Sequence, residues 1–107
     1  MDMLKGYQKK YLKGLAHVLK PTVFVGQKGV VPSVVKALDE ALDQHELVKI
    51  KFIEFKEKGQ KKELVHVLEK ESVSALVGMI GHVAILYRRQ KDPDKRKIEV
   101  PVRKPSE

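Results

Sequence analysis

Hydrophobic residues in the first part of the chain recur with two different periods. Between residues 3 and 19 they fall three and four positions apart, which is the spacing of one face of an α-helix. The predicted apolar stripe consists of Leu4, Tyr7, Tyr11, Leu15 and Val18. Pro21 ends this pattern, because the residue before a proline is pushed toward an extended conformation. The β-branched and aromatic run at residues 22–25 then predicts a short buried strand.

The middle of the chain predicts a second helix followed by a second strand. Pro32 suits the first position of a helix, where no N–H donor is needed, and the helical pattern continues to about His45. Residues 47–55 alternate apolar side chains with lysines, as a strand with one buried face does. The residues predicted on the buried face of this strand are Val48, Ile50 and Phe52.

The last part of the folded region predicts a helix and a hairpin. Residues 57–60 are polar and include a glycine, which predicts a turn, and residues 61–71 again show helical spacing. Residues 76–80 and 83–89 predict two strands. The intervening Gly81-His82 pair, with glycine first, favours a type II′ turn.

These elements predict the class of the fold. The order α-β-α-β-α-β-β indicates an α+β domain of two layers, with helices packed on a four-stranded mixed sheet. A length of 107 residues is typical of one domain. We expect a single domain at residues 1–89 and a basic, partly flexible tail at residues 90–107. Within the tail, the apolar residues of the segment 98–101 predict brief docking along a sheet edge.

Charge suggests the kind of partner. The net charge is +8, and it is concentrated at the two ends: residues 1–31 carry +5, residues 32–87 carry −1 and residues 88–107 carry +4. A basic domain of this size suggests a polyanion such as nucleic acid. The competing interpretation is that the charged ends are simply solvated.

Several classes of protein are not supported by the residues present. The chain has no cysteine, so disulfides, thiolate catalysis and Cys-based zinc sites are excluded. No apolar stretch is long enough for a signal peptide or a membrane span, so we expect a cytoplasmic protein. No serine or carboxylate pattern marks an enzyme, and we expect no cofactor and no metal. The histidines, which lack zinc-protease spacing, are His17, His45, His66 and His82.

The strongest candidate for a binding device is the loop Gly26-Gln27-Lys28-Gly29, between a predicted strand and a predicted helix. Its glycines permit positive φ and close approach of a ligand to the backbone. The helix that follows offers free N–H groups and the positive end of its dipole, to which phosphate binds well. KH domains hold an RNA backbone with such a loop. A Gly-x-x-Gly sequence is also common as a plain tight turn, and it is not a nucleotide-hydrolysing phosphate loop.

Basic side chains near this loop are ranked by their expected position. Lys28 comes first, then Lys13 and Lys20, then Arg88, and the strand lysines at positions 49 and 51 come last. The spacing of the aromatic residues predicts that each packs in the core, so we expect contacts with phosphates rather than base stacking. The predicted RNA-binding residues are Gly26, Gln27, Lys28, Gly29, Lys13, Lys20, Lys9 and Arg88.

Motifs along most of the chain resemble one family. They include residues 11–17 on the first helix, 21–29 across the strand and loop, 45–51 in the second strand, 86–88 in the hairpin and 98–101 in the tail. Together they resemble the CRM domain, typified by the bacterial YhbY proteins. The resemblance implies a fold similar to the C-terminal domain of translation initiation factor three. It also implies RNA binding through the Gly-x-x-Gly loop.

The resemblance further implies a partner. Single-domain bacterial members of the CRM family resemble factors that associate with precursors of the large ribosomal subunit, so we expect a monomer that binds ribosomal RNA of pre-50S particles. Neither a membrane nor a small-molecule substrate is expected. Two alternatives remain open: a module that binds a protein on the ribosome, and a basic protein associated with DNA.

Overall fold

A computed structural model describes residues 4–53 and 58–102, and the predicted order of elements is confirmed. The three helices are α1 (Gly6–Ala16), α2 (Pro32–His45) and α3 (Lys58–Ser72). The four strands are β1 (Val23–Val25), β2 (Leu47–Phe52), β3 (Ala75–Ile80) and β4 (Val83–Tyr87). A short 3-10 turn, Pro93–Lys95, follows in the tail. In the described part of the chain, no helix is both long enough and apolar enough to cross a bilayer.

The strands form one sheet in the order β1-β2-β4-β3. The strand β1 is parallel to β2, whereas β4 is antiparallel to both β2 and β3. The predicted four-stranded mixed sheet and the α+β class are therefore confirmed. At the hairpin turn Gly81 has a φ of +58°, while His82 keeps a negative φ, as a type II′ turn requires.

Helices cover both faces of this sheet, where the two-layer prediction placed them in one layer. The larger core lies under α2 and α3; its buried residues include Leu38, Ile50 and Leu68. A smaller core lies on the opposite face, where α1 packs on the apolar side chains of Ile85 and Tyr87. The burial pattern of β4 explains this arrangement. Four consecutive residues of the strand are buried, and because successive side chains point to opposite faces, both faces of the strand are covered.

Within α1 the predicted apolar stripe is wrong by about one residue position, although Leu4, which precedes the helix, packs on the smaller core as predicted. The side chains that pack on the sheet are Leu12 and Ala16, one turn apart. Tyr11 and Leu15 are instead exposed at the edge of the contact. One residue position rotates a helix face by roughly 100°. Both rows have helical spacing, so the pattern alone did not show which one faces the sheet.

Several predicted boundaries also shift. The helix α1 starts at Gly6, where the side chain of Gln8 accepts a hydrogen bond from the backbone N–H of Lys5 at 2.9 Å, and it ends at Ala16 rather than at residue 19. The predicted start at residue 3 lies outside the described residues. The helix α3 starts at Lys58, so residues 58–60 are helical rather than a turn. The predicted end of the second strand at Phe55 and the start of the turn at residue 57 lie outside the described residues.

The tail crosses the face of the sheet beside α1. The buried carboxylate of Glu46 accepts hydrogen bonds from the backbone N–H groups of Gln90, Lys97 and Ile98 at 3.0, 2.6 and 3.0 Å. Ile98 and Val100 then pack on the smaller core. Within the described residues, segment 98–101 joins no strand, so docking along a sheet edge is replaced by docking over the sheet.

Candidate nucleic-acid interface

The Gly-x-x-Gly loop is a closed turn between β1 and α2. The N–H of Gly29 donates a hydrogen bond to the carbonyl oxygen of Gly26 at 2.9 Å, which folds the chain back on itself. Gly29 has a φ of +75°, a conformation that side chains strongly disfavour. The second glycine is therefore required by the backbone. The two residues between the glycines, Gln27 and Lys28, are left exposed at the tip.

Open backbone donors lie in this turn and just after it. The N–H groups of Gln27, Lys28 and Ser33 donate to no acceptor among the described residues. Ser33 lies in the first turn of α2, where helix geometry leaves N–H groups unpaired and the helix dipole is positive. Adding the exposed ammonium of Lys28 gives a small surface suited to a phosphate group.

The loop is held by the first part of α3. A β-carbon placed on Gly29 would lie 3.8 Å from Cδ2 of Leu64, so the turn rests directly on that helix. Lys61 is buried, and its Nζ donates to the carbonyl oxygen of Gly81 at 3.2 Å and lies 3.1 Å from Nδ1 of His82. We call residues 26–29, residues 81–82 and the first turns of α2 and α3 the loop end.

The sheet face opposite α2 and α3 carries the strand lysines. Lys51 lies beside Phe24 in the register of β1 and β2. Both side chains are exposed, with Phe24 at 50% of its full accessibility. Lys49, two residues earlier, donates from Nζ to the carbonyl oxygen of Leu19 at 2.9 Å and so holds the segment that precedes β1. The strand lysines therefore differ: Lys49 has a structural contact, whereas Lys51 is presented to solvent.

One of the two predicted helix lysines, Lys13, reaches the far side of the same face. The side chain of Lys13 passes over β3 so closely that a β-carbon on Gly78 would collide with its Cε. The strand β3 is three strand spacings from β1, or roughly 14 Å. Lys9 lies one turn earlier on α1 and is partly buried. The structure thus places Lys13 on the lysine-bearing face but well away from the loop.

Lys20 lies away from the loop. It precedes β1, at the strand end where the N–H of Thr22 donates to the carbonyl oxygen of Lys49. Five residues lie between Lys20 and Gly26, a span of at most roughly 20 Å in an extended chain. Its side chain lines a shallow groove with Tyr11 and Ile98. A single ligand at the loop would need to be extended to reach it.

Arg88 is placed where its charge is already neutralised. Its Nη1 donates to Oδ1 of Asp39 at 2.6 Å and to the carbonyl oxygen of Ser72 at 2.8 Å. Its Nη2 donates to the carbonyl oxygen of Asp39 and to Oδ1 of Asp43, both at 2.9 Å. Only 16% of its side chain is accessible. Arg88 therefore joins β4 to α2 and α3, and the structure does not bring it to the predicted RNA surface.

A second group of charges surrounds Tyr87. Burial raises the pKa of the Tyr87 phenol above 10.0, and the negative charge of Glu46 raises it further, while Arg89 and Arg96 oppose the shift. This residue ends β4 next to Arg88. We call the last turns of α2 and α3 together with residues 88–97 the tail end.

Among the described residues, no three acidic or histidine side chains are grouped as a metal site.

Comparison with known proteins agrees with this arrangement. The family model described as the CRS1 / YhbY (CRM) domain matches residues 4–88. The chain belongs to the CRS1/YhbY (CRM) domain family. The resemblance inferred from the sequence motifs is therefore confirmed, and the match includes α1, the Gly-x-x-Gly loop and the whole sheet.

Similar CRM-family proteins come from several bacteria. A Haemophilus influenzae protein named "RNA-binding protein" is 36% identical over 94% of this chain and 98% of its own length. The Bacillus subtilis "Probable RNA-binding protein YqeI" is 37% identical over 92% of this chain and all of its own. The solution structure of SAV1595 from Staphylococcus aureus, described as a candidate RNA-binding protein, superposes with a TM-score of 0.79 at 35% identity. It covers 92% of this chain and 100% of its own.

One feature of this CRM domain contradicts the aromatic prediction. Phe52 and Tyr87 are buried as expected, but Phe24 and Tyr11 are exposed. Phe55 lies outside the described residues. Alternation along the strand places Phe24 on the face opposite Val23 and Val25, but the sequence does not show whether that face is covered. The prediction treated β1 as buried on both faces, and only one face is covered.

Proposed function

We propose that this CRM domain is a non-catalytic RNA-binding protein of the cytoplasm that binds ribosomal RNA during assembly of the large ribosomal subunit. The observation that carries the proposal is the Gly26–Gly29 turn, which combines open backbone N–H groups with an exposed lysine at the start of a helix. The names of its relatives, which describe RNA binding, support the same function.

A phosphate at the loop end would be held by three kinds of interaction. The N–H groups of Gln27 and Lys28 donate hydrogen bonds, the α2 dipole favours the negative charge, and the Lys28 ammonium adds a charge-assisted contact. None of these groups reads a base. The loop would therefore position the RNA backbone, and selection would come from the shape of the RNA or from contacts elsewhere.

The lysine-bearing sheet face would extend the contact beyond the loop. Lys51 is exposed one strand away from β1, and Lys13 lies across the sheet on β3. An RNA crossing this face would meet these two cations two strand spacings apart, or roughly 10 Å. Contacts of this kind release counterions from the nucleic acid, so affinity should depend strongly on salt. Arg88 is left out of this surface because its hydrogen bonds are satisfied within the protein.

The loop is tested by measuring RNA affinity while the salt concentration is varied. If about six phosphates on a single strand are neutralised, the log–log slope should be roughly −4. Replacing both Gln27→Asp and Lys28→Asp puts two negative charges at the phosphate position and should abolish most of the binding. Circular dichroism and thermal unfolding of the variant check that the fold is kept. Unchanged affinity in a folded variant would show that the loop is only a turn.

The ribosomal part of the proposal needs its own test. Crosslinking in cells, followed by sequencing of the attached RNA, should recover ribosomal RNA of the large subunit. Gradient fractions should contain the protein with particles lighter than the mature subunit. Association that survives nuclease treatment would favour a protein partner, and equal competition by duplex DNA at fixed salt would favour a DNA-associated protein. Either result would contradict the proposed function.

A further inference from the structure

Part of the lysine-bearing sheet face is left uncovered. The helix α1 packs over the part nearest the tail end, with its buried residues on Ile85 and Tyr87. Toward the loop end, a row of four neighbouring residues crosses all four strands: Phe24, Lys51, Val83 and Ile80. Phe24 is 50% and Ile80 is 66% exposed. We call this row the open row.

Phe24 contributes little to the core from this position. Its neighbours Val23 and Val25 are buried at 2% and 0%, so the register of β1 places the intervening side chain on the solvent side. The larger core under α2 and α3 is on the other face. A single exposed apolar residue would need no explanation. Phe24 belongs to a row in which Ile80 is also exposed, Val83 is partly buried and a lysine stands between them, and such patches mark interaction surfaces.

The charge around the open row indicates a nucleic acid rather than a protein or a membrane. Lys51 stands directly beside Phe24, and Lys49, two residues earlier on β2, lies on the same face. Lys13 reaches over the same face at Gly78. Among the described strand residues, none that points to this face is acidic. A flat apolar ring among cations complements a chain of flat bases joined by phosphates.

The distance from the loop is also suitable. Phe24 comes two residues before Gly26, which places their Cα atoms roughly 7 Å apart along an extended strand. A nucleotide whose phosphate is held by the loop would thus have its own base, or the next one, above the open row. Sheet-borne aromatic side chains bind unpaired bases in this way in other RNA-binding modules.

We propose that Phe24 stacks on an unpaired base of the RNA, while Lys51 contacts a neighbouring phosphate. This inference rests on the proposed function, since the phosphate at the loop sets the position of the base. To the binding of the RNA backbone at the loop, it adds a preference for unstacked, single-stranded nucleotides. Stacking accepts every base, because each has a flat face, so the contact selects for accessibility rather than for sequence.

Three variants test the inference with a short single-stranded RNA, and with the same RNA carrying one abasic position at a time. Phe24→Leu removes the ring and keeps an apolar side chain, and Phe24→Trp keeps a stacking ring. Tyr11→Leu is the matched control, because Tyr11 is exposed to a similar extent, at 43%, but lies on α1 rather than in the open row. Thermal unfolding should be nearly unchanged in all three.

Phe24→Leu should weaken binding about 5- to 100-fold, with little change in the salt slope, because stacking neutralises no phosphate. Phe24→Trp should keep its affinity, and its fluorescence should be quenched by RNA; the chain has no other tryptophan. One abasic position should weaken the wild type but leave Phe24→Leu unaffected. Tyr11→Leu should bind as the wild type does.

Three results would overturn the inference. If Phe24→Leu binds RNA as tightly as the wild type while the doubly substituted loop variant has lost binding, the stacking contact is absent and the proposed function stands. If Phe24→Leu keeps its RNA affinity but no longer associates with ribosomal particles, the open row contacts a protein. A wild-type protein that binds no RNA would overturn the proposed function along with the inference.

Discussion

The two ends of the sheet use the same kinds of residue in opposite ways. At the tail end, Arg88 joins Asp39 and Asp43 of α2, and Glu46 receives three backbone N–H groups of the tail. At the loop end, Lys28 is exposed, and the N–H groups of Gln27 and Lys28 donate to no acceptor among the described residues. Charge that is paired stabilises the fold, whereas charge that is left open is available to a ligand.

Lys61 shows that position in the sequence does not decide which of these uses applies. It lies at the loop end, in a basic stretch of α3, and yet it is buried with its ammonium on Gly81 and His82. Its neighbour Lys62 is exposed. A count of positive charges near the loop would therefore overstate the number that can reach RNA.

The largest effect on stability is expected from Glu46→Ala. This change removes the acceptor for three N–H groups and should lower the free energy of unfolding by about 3 kcal/mol, because hydrogen bonds to a buried charge are among the stronger ones. The tail should also be released, so trypsin should cleave faster at the basic residues of 91–97. Glu40→Ala, which removes an exposed carboxylate of α2, is the control and should change neither measurement. Equal rates of trypsin cleavage in the two variants would contradict the proposal that Glu46 holds the tail.

A smaller loss of stability is expected from Arg88→Gln. The change breaks the contacts with α2 and Ser72 and should cost about 2 kcal/mol in chemical denaturation. Asp39 and Asp43 are more than half exposed, so water compensates for part of the loss. Arg89→Gln removes the same charge from an exposed neighbour and should have little effect. Similar losses in both variants would mean that the network is not specific to Arg88.

The smallest effect is expected in alkaline solution. Because the folded state raises the pKa of Tyr87 above that of the unfolded chain, the unfolded chain loses its proton first as pH rises. The contribution of Tyr87 to stability should be complete below pH 10 and should decline above it. Comparing the wild type with Tyr87→Phe across this range isolates the contribution from that of the lysines. A difference in stability between the two proteins that stays constant as pH rises would contradict the raised pKa of Tyr87.

Much of the fold could be predicted from the chain, and the reasons differ by element. The alternation in β2 and the Gly81-His82 turn are local signals, and the structure confirms both. The orientation of α1 could not be predicted, because Leu12 and Tyr11 belong to two apolar rows of equal spacing. Only the packing of the helix on β4 and the docked tail decides between them.

The turn at the candidate loop could be predicted, whereas the positions of the basic side chains could be predicted less well. The loop was recognisable by its two glycines, and the positive φ of Gly29 shows why the turn needs the second of them. Arg88 was expected on the RNA surface, but its partners are carboxylates of α2 and a carbonyl group of α3, far away in sequence, which no local pattern reveals. Phe24 was expected in the core because nothing in the chain shows that one face of β1 is open.

A pair of variants with equal charge tests the central claim most directly. Lys28→Gln and Arg88→Gln each remove one positive charge, and RNA affinity is measured for both at several salt concentrations. The account predicts that Lys28→Gln weakens binding about fivefold and reduces the salt slope by about 0.7, while Arg88→Gln binds within a factor of about two of the wild type. Equal losses in both variants would contradict it, because net charge rather than the loop end would then determine binding.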